Sequence, residues 1–160
     1  MKRLFIFGTG AHARKAFHSV AEPCDGRVHA FVDEALEAVS PVPGVPVLDA
    51  LTLPLPSAGD CMFVAVGRAD VRRRLMDALQ AQGWELPSLV HPSAWVAPDV
   101  HVDAGVLVAA GAVIESATKI GRGVIVDIGV LIDHECEIGA FCHLRPGEVL
   151  GPRSRRHASA

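Results

Sequence analysis

Three consecutive side chains, those of Asp133, His134 and Glu135, suit a site of proton transfer. Histidine exchanges a proton near neutral pH, so it is the usual general base where a nucleophile must lose a proton as it attacks. A flanking carboxylate can hold the ring in one tautomer and stabilise the imidazolium, and the sequence leaves open which of the two does so. The alternative interpretation is an ordinary histidine on a solvated turn.

A glycine-rich turn near the start of the chain is the second chemical feature. The stretch FGTGAHAR fits the G-x-G-x-x-G/A pattern of dinucleotide sites through Gly8, Gly10 and Ala13. Asp33 follows about twenty residues later, where such sites place an acidic residue against a ribose. Backbone N–H groups at a helix start favour any phosphate, and a dinucleotide needs two such halves. Because only residues 1–87 precede a region of repeats, a mononucleotide is favoured over NAD and over a purely structural turn.

Residues 1–87 alternate apolar runs with helix-like stretches, which is the pattern of β-α-β units around a parallel sheet. Strands are predicted at Leu4–Phe7, Val28–Val32, Val45–Leu48 and Met62–Val66, with helices at Ala11–Ala21 and from the N-cap Asp70 to a stop at Gly83. The sequence therefore predicts an α/β Rossmann-like N-terminal domain that binds a nucleotide.

From residue 90 onward, every sixth residue is aliphatic. The series is Val90, Val96, Val102, Val108, Ile114, Ile120, Val126, Ile132, Ile138, Leu144 and Leu150. Neither a helix nor a flat strand has a period of six, whereas three such hexads make one 18-residue coil of a parallel β-helix. Small or β-branched residues recur four places after each aliphatic residue. Glycines recur one place before these, where a turn needs positive φ: Gly105, Gly111, Gly123, Gly129 and Gly147. Residues 88–151 are predicted to form a β-helix domain, followed by an irregular tail over residues 152–160.

The composition agrees with a thin, repetitive core and excludes several classes of protein. Half of the residues are hydrophobic but only 5% are aromatic, with no Tyr, so Val, Ile, Leu and Ala must fill the interior. The net charge of -3, with scattered Lys and Arg, argues against binding to nucleic acid. No apolar run approaches the roughly 18 residues of a membrane span. Gly8 also comes too early for a signal peptide, so a cytoplasmic protein without membrane insertion is predicted.

The four cysteines are expected to be reduced in that compartment. Cys24, Cys61, Cys136 and Cys142 form no C-x-x-C pair, so each is predicted to be a small buried hydrophobic residue. Cys136 and Cys142 fall at inward positions of neighbouring hexads, one face apart, which argues against a nucleophilic role for either thiol.

A further set of motifs lies at the predicted strand ends and in the repeats. They are the turn from Phe7 to Arg14, Phe31-Val32-Asp33-Glu34, Val64-Ala65-Val66-Gly67, His91-Pro92-Ser93-Ala94, Asp133-His134-Glu135-Cys136, Ile138 to His143 and Pro146-Gly147. In this combination the chain resembles the hexapeptide-repeat sugar O- and N-acyltransferases related to the sialic-acid O-acetyltransferase and the bacillosamine-pathway acetyltransferase. The resemblance implies a homotrimer with a left-handed β-helix. It also implies acetyl-CoA as co-substrate, a UDP- or GDP-linked amino sugar as acceptor, and no metal.

The resemblance also assigns roles to individual residues. It implies that His134 is the catalytic base and that Glu135 orients it, and that His143 contacts acetyl-CoA near the thioester. The nucleotide-sugar site implied by the resemblance comprises Gly10, Ala11, His12, Asp33, Glu34 and Gly67. Asp127 stands where relatives often have Asn, and it is expected to orient either the sugar or His134. Backbone N–H groups near Gly129 or Gly147 are candidate oxyanion donors.

Two other interpretations stay open. A β-helical trimer with zinc between its subunits would resemble the γ-class carbonic anhydrases, using His101, His134 and His143, although their spacing is not that of the family. The second is a trimer that binds a nucleotide sugar without catalysis. It is suggested by the end of the hexads at Leu150, where relatives usually continue for several coils, so that the chain is expected to be shortened and its last apolar layer uncovered. The arginines of the tail either reach CoA phosphates or belong to a disordered basic end.

Overall fold

The computed structural model describes residues 3–19, 27–35 and 37–158. The chain divides between Pro87 and Ser88 into two compact units. The first unit contains strands β1 (Leu4–Phe7), β2 (Val28–Asp33), β3 (Val47–Asp49) and β4 (Cys61–Val64), with helices α1 (Ala11–His18) and α2 (Ala69–Ala81). Among the described residues, neither helix has the length and apolar character that crossing a bilayer requires.

The first unit is built on one parallel sheet with the strand order β3-β2-β1-β4. All four residues of β1 and all four of β4 are buried, as expected for central parallel strands covered on both faces. The predicted strands are all present, with ends that differ by one or two residues. Helix α1 ends at His18, and the predicted continuation to Ala21 runs into residues 20–26, which lie outside the described part of the chain.

The predicted start of helix α2 was wrong by two residues. Arg68 is the N-cap residue, whereas Asp70 lies within the first turn and pairs with the Arg68 guanidinium at 2.6 Å. That hydrogen bond lowers the pKa of the Asp70 carboxyl. A carboxylate is as favourable inside the first turn as at the cap, because the N-terminal end of the helix dipole is positive. The predicted stop is confirmed, since Gly83 follows the C-cap residue Gln82 with a φ of +92°.

A bidentate ion pair joins the start of β1 to the turn before β4. Arg3 donates from Nε to Asp60 Oδ1 at 2.8 Å and from Nη2 to Oδ2 at 2.5 Å, and the Ser57 N–H donates to the same carboxylate at 2.9 Å. Asp60 is only 3% exposed. The hydrogen bond from Arg3 outweighs the effect of burial and holds the pKa of Asp60 below its ordinary value of 3.8.

Asp60→Asn is expected to lower the free energy of unfolding near neutral pH by about 2 kcal/mol, because a hydrogen bond to a charged group contributes about 1.5–3 kcal/mol. Since the folded pKa lies below the unfolded one, this stabilisation is complete above the unfolded pKa and is lost as the pH falls through the folded value. Urea unfolding at neutral and acid pH measures the change. The difference in free energy of unfolding between wild type and Asp60→Asn should become smaller in acid. A difference that does not change with pH would refute this account. Asp70→Asn, in an exposed pair, is the control and should have a much smaller effect.

The second unit is a stack of short parallel strands. They are β5 (Leu89–Val90), β6 (Trp95–Val96), β7 (His101–Val102), β8 (Leu107–Val108), β9 (Val113–Ile114), β10 (Lys119–Ile120), β11 (Ile125–Val126), β12 (Leu131–Ile132), β13 (Glu137–Ile138), β14 (His143–Leu144), β15 (Val149–Leu150) and β16 (Arg155–Arg156). They form three sheets with the orders β16-β13-β10-β7, β14-β11-β8-β5 and β15-β12-β9-β6. Every third strand is therefore a neighbour, which confirms a parallel β-helix whose coils repeat every 18 residues.

The aliphatic hexad residues form the core of this unit. Buried members of the core include Val108, Ile114, Ile120, Val126, Ile132, Ile138, Leu144 and Leu150, together with small residues of the corners such as Cys136 and Cys142. Val90 departs from this pattern, since it is 39% exposed in β5, which is the edge strand of its sheet. All five predicted turn glycines have φ values between +63° and +70°. Cys61, Cys136 and Cys142 are buried and form no disulfide, and Cys24 lies outside the described residues.

The prediction of an irregular tail over residues 152–160 was also wrong for its described part, which ends at residue 158. Arg155 and Arg156 form strand β16, which pairs with β13 through hydrogen bonds from Glu137 N to Ser154 O at 2.9 Å and from Gly139 N to Arg156 O at 2.8 Å. A parallel ladder needs only backbone groups, so the missing aliphatic residue does not end it. The apolar layer beneath is covered as well, since Leu150 is only 6% exposed.

The arginines of this last coil each meet a glutamate. Arg155 Nε lies 3.3 Å from Glu137 Oε2, Arg153 Nη1 lies 3.5 Å from Glu135 Oε2, and Arg156 pairs with Glu148. In the hexad pattern, Arg156 occupies a position that is aliphatic in other coils, and Glu148 occupies one that is small. Their ion pair therefore places polar groups at this end of the stack. The three pairs give each arginine of this segment an acidic partner, while the backbone ladder holds the segment on the β-helix.

Candidate functional site

The glycine-rich turn lies at the carboxyl edge of the first unit's sheet, where the ends of parallel strands β1, β2 and β4 meet. Gly8 follows β1 with a φ of +107°, and a Cβ atom there would lie 3.2 Å from the carbonyl oxygen of Ala65. Gly10 is the N-cap residue of α1, and a Cβ atom there would have open space around it. Ala11 and His12 form the first turn of that helix. The backbone N–H groups of this turn suit an anionic group.

Two acidic residues stand beside this turn at the end of β2. Asp33 is held in place, because Thr9 Oγ1 donates to its Oδ2 at 2.6 Å and the Ala35 N–H donates to its Oδ1 at 3.0 Å. Glu34 is exposed. Both residues therefore lie where the sequence placed them, at the same sheet edge as Gly10.

The strand β4 contributes its following turn to the same edge. The His12 ring lies against Gly67, where a Cβ atom would be 3.0 Å from His12 Cε1. Arg72 is fully buried and donates from Nη1 to the carbonyl oxygens of Val66 at 2.7 Å and Gly67 at 2.8 Å. Arg72 thus fixes the turn against which His12 packs.

Sequence reasoning missed Arg72. Arg72 stands in a run of three arginines, a pattern that is typical of a solvent-exposed helix face. A signal was available, because Arg72, Met76 and Leu79 are spaced i, i+4, i+7 and share the buried face of α2.

In the second unit, His134 lies in the corner between β12 and β13. Its Nδ1 atom is 2.9 Å from Glu135 Oε2, whereas its Nε2 atom is 4.0 Å from Asp133 Oδ1. The Asp133 carboxylate instead accepts the backbone N–H of His134 at 2.7 Å. A carboxylate can only accept a hydrogen bond, so in the neutral ring Nδ1 carries the hydrogen and Nε2 has the lone pair that can take an incoming proton. The structure thus pairs the ring with Glu135. The sequence had left open which of the two flanking carboxylates does so. The ring itself is 44% exposed.

Glu135 adopts an uncommon backbone conformation. Its φ is +58°, at the hexad position where other corners of the β-helix have glycine, and its N–H donates to Ser116 O at 2.9 Å. A side chain in this region costs about 1 kcal/mol relative to glycine. Ala117, one coil earlier, has a φ of +56°, so the conformation belongs to this corner of the β-helix. The corner projects the Glu135 carboxylate beside the neighbouring ring.

The sequence suggested that Asp127 orients either the sugar or His134, and the structure places it beside a different histidine. Asp127 is buried, and its Oδ2 atom lies 3.4 Å from His143 Nε2, while its Oδ1 atom accepts the Ile128 N–H at 2.8 Å. Asp127 therefore contacts His143, at the start of β14, and not His134. The aspartate gives that ring a buried carboxyl group as its neighbour.

The two candidate oxyanion donors are engaged within the coil stack. The Gly129 N–H donates to Ala110 O at 3.0 Å, and the Gly147 N–H donates to Ile128 O at 2.9 Å. Neither glycine N–H is therefore available for an oxyanion, and the expectation of a donor near these glycines stays a prediction. The three histidines weighed as zinc ligands also lie apart within one chain: His101 begins β7, His143 begins β14 on another sheet, and His134 occupies a corner.

Comparison with known proteins gives a consistent group of relatives. No family model matches the chain. The GDP-perosamine N-acetyltransferase of Escherichia coli O157:H7 is 28% identical over 149 residues, which cover 89% of this chain and 66% of that protein. PerB from Caulobacter crescentus, solved with CoA and GDP-perosamine, is 38% identical with a TM-score of 0.81, covering 93% of this chain and 71% of that one. The acetyltransferase domain of PglB from Neisseria gonorrhoeae, solved with acetyl coenzyme A, is 30% identical with a TM-score of 0.82, covering 96% and 75%.

Proposed function

We infer that this chain, which belongs to the family of nucleotide-sugar N-acetyltransferases, transfers the acetyl group of acetyl-CoA to the amino group of a GDP-linked sugar. The observation that carries the inference is the His134–Glu135 pair, 2.9 Å apart, in a chain 38% identical to a protein solved with CoA and GDP-perosamine. The identity of the nucleotide rests on those relatives, and UDP-linked amino sugars serve as comparison substrates in the test.

His134 is proposed as the general base. The sugar amine attacks the thioester carbonyl carbon, a C–N bond forms, and the C–S bond breaks to release CoA as its thiolate. His134 Nε2 takes the proton that the amine loses and returns it to the leaving sulfur, so that charge is balanced over the cycle. Glu135 holds the ring through Nδ1 and stabilises the imidazolium that forms between the two proton transfers.

His143 is proposed to contact acetyl-CoA near the thioester. Asp127 supports this role because its buried carboxylate lies 3.4 Å from His143 Nε2 and thereby restricts the orientation of the ring.

The first unit is proposed to be a Rossmann-like domain that binds the nucleotide part of the sugar. The strand order β3-β2-β1-β4 is that of the first four strands of the Rossmann sheet, and ligands of such sheets bind at the carboxyl ends of the strands. In this arrangement the phosphates lie against Gly10, Ala11 and His12 at the start of α1. Asp33 and Glu34 accept hydrogen bonds from the nucleoside, and Gly67 leaves room beside His12.

Gly10→Ala tests this placement. The added Cβ meets nothing within 4 Å in the protein, yet it occupies the surface that a phosphate would approach. Affinity for a GDP-linked amino sugar, measured by calorimetry, should fall about tenfold, or about 1.4 kcal/mol, with little change in the thermal unfolding midpoint. Gly151→Ala, also in open space but in the β-helix, is the matched control and should bind normally. Equal affinity for both variants would place the nucleotide elsewhere.

A homotrimer of left-handed β-helices is proposed as the working assembly. An apolar column runs along the outward face of the sheet β6-β9-β12-β15, one residue per coil: Trp95, Val113, Leu131 and Val149. Trp95, Leu131 and Val149 are between 44% and 67% exposed. A continuous apolar column on a surface marks an interaction site, and a second copy of the chain is its proposed occupant. Sedimentation equilibrium should give the mass of three chains.

The proposed activity is tested by thiol release from acetyl-CoA in the presence of a panel of GDP- and UDP-linked amino sugars. Release that depends on a GDP-linked amino sugar supports the proposal. Calorimetry with the same sugars separates two kinds of failure. Binding of the sugar without thiol release would favour a nucleotide-sugar-binding protein, whereas neither binding nor release would reject the substrate class.

A further inference from the structure

We propose that Arg153, in the last coil of the β-helix, is a positioning residue for His134 and acts through Glu135. The inference rests on the function proposed above, in which His134 is the base. Arg153 Nη1 lies 3.5 Å from Glu135 Oε2, which is the same oxygen that lies 2.9 Å from His134 Nδ1. One carboxylate oxygen therefore joins the guanidinium to the imidazole.

The coil stack brings Arg153 to this place. Residue 153 stands 18 positions after Glu135, at the equivalent corner of the next coil, and its N–H donates to the carbonyl oxygen of His134 at 2.9 Å. Its backbone has a φ of +57°, nearly that of Glu135 at +58°. The Arg153 main chain is thus anchored directly on the residue whose side chain it is proposed to influence.

Glu135 needs a second contact because its side chain is half exposed. At 51% exposure its carboxylate is free to leave the ring for water, and His134 would then lose the partner that keeps the hydrogen on Nδ1. Asp133 lies on the other side of the ring, 4.0 Å from Nε2, and attracts the hydrogen to that nitrogen. Arg153 holds the Glu135 carboxylate on the Nδ1 side. It thereby favours the tautomer in which Nε2 can accept the amine proton.

The neighbouring arginine supplies a matched control. Arg155 makes the same kind of contact, with its Nε 3.3 Å from Glu137 Oε2, and Arg153 and Arg155 are both 71% exposed. The Arg155–Glu137 pair lies on the outward face of β13 and β16, and its carboxylate is not the one that contacts His134. Loss of either pair removes one surface ion pair from the last coil, so an effect confined to Arg153 reports on His134 and not on the stability of the coil.

Arg153→Gln, Arg153→Lys and Arg155→Gln are compared by thiol release and by nitrogen-15 NMR of the His134 imidazole. Arg153→Gln should lower kcat about threefold with both KM values unchanged, the scale of one exposed ion pair, and Arg153→Lys should recover most of that loss. In the spectra, Arg153→Gln should shift His134 from the Nδ1–H toward the Nε2–H tautomer. Arg155→Gln should match wild type in both measurements.

The two readouts separate failure of this inference from failure of the proposed function. If wild type releases no thiol with any sugar, the proposed function fails, and the tautomer measurement still decides whether Arg153 positions the ring. An unchanged His134 tautomer in Arg153→Gln overturns the inference. Equal losses of kcat in Arg153→Gln and Arg155→Gln also overturn it, because they would report a general effect of the last coil.

Discussion

Replacing His134 by alanine should reduce the kcat of acetyl transfer by about 100- to 10,000-fold, the usual contribution of a positioned general base. The amine must lose a proton as it attacks, and the alanine variant leaves that proton to water. Because the base acts in the transition state, the loss should appear in kcat, and the affinities for acetyl-CoA and for the nucleotide sugar should stay close to those of wild type.

Three measurements make this result specific. Thiol release gives kcat, calorimetry gives the two affinities, and circular dichroism shows whether the variant is folded. His101→Ala is the control, since His101 is an exposed histidine on β7 that plays no part in the proposed chemistry. A His134→Ala enzyme within threefold of the His101→Ala enzyme would remove His134 from the mechanism.

Ile120→Ala should lower the free energy of unfolding of the β-helix by about 3 kcal/mol, within the 2–5 kcal/mol range for truncation of a buried aliphatic side chain. Ile120 is fully buried and lies in register between Val102 of the coil before and Ile138 of the coil after. Its removal leaves a cavity bounded by two neighbouring coils, which cannot close because both coils are fixed by parallel ladders.

Ile128→Ala is the matched control for this prediction. Ile128 is 46% exposed in a corner, so its truncation should cost about 0.5 kcal/mol. Urea unfolding of both variants should be compared at one chain concentration, because assembly would add a concentration-dependent term to each value. If the two variants unfold at the same urea concentration, Ile120 is not part of a stacked core and the β-helix account is wrong.

The repeat region was the part of the fold most open to prediction from the sequence. Its aliphatic period is local and is marked at eleven positions, so chance agreement at one of them does not change the result. Strand β16 was not predicted because the six-residue pattern considers only aliphatic side chains, whereas a parallel ladder is made by backbone groups. Charges 18 residues apart were the missed signal, since Glu135 and Glu137 face Arg153 and Arg155 of the next coil.

In the candidate site, too, the sequence predicted contacts between adjacent residues better than contacts between residues distant along the chain. The pairing of His134 with one of its two carboxylate neighbours was foreseen because the residues are adjacent, although only the structure selected Glu135. The contact between Asp127 and His143 joins residues 16 apart and depends on how successive sides of the coil meet. Arg72 was missed for a different reason, since its burial depends on which face of α2 meets the sheet.

One measurement tests the central claim most directly: structural analysis of the product formed from acetyl-CoA and a GDP-linked amino sugar. Mass spectrometry and proton NMR of the purified nucleotide sugar should find one added acetyl group, attached to the sugar nitrogen, in an amount equal to the CoA released. An acetyl group on a sugar oxygen, or a sugar recovered unchanged while wild type releases thiol, would contradict the account.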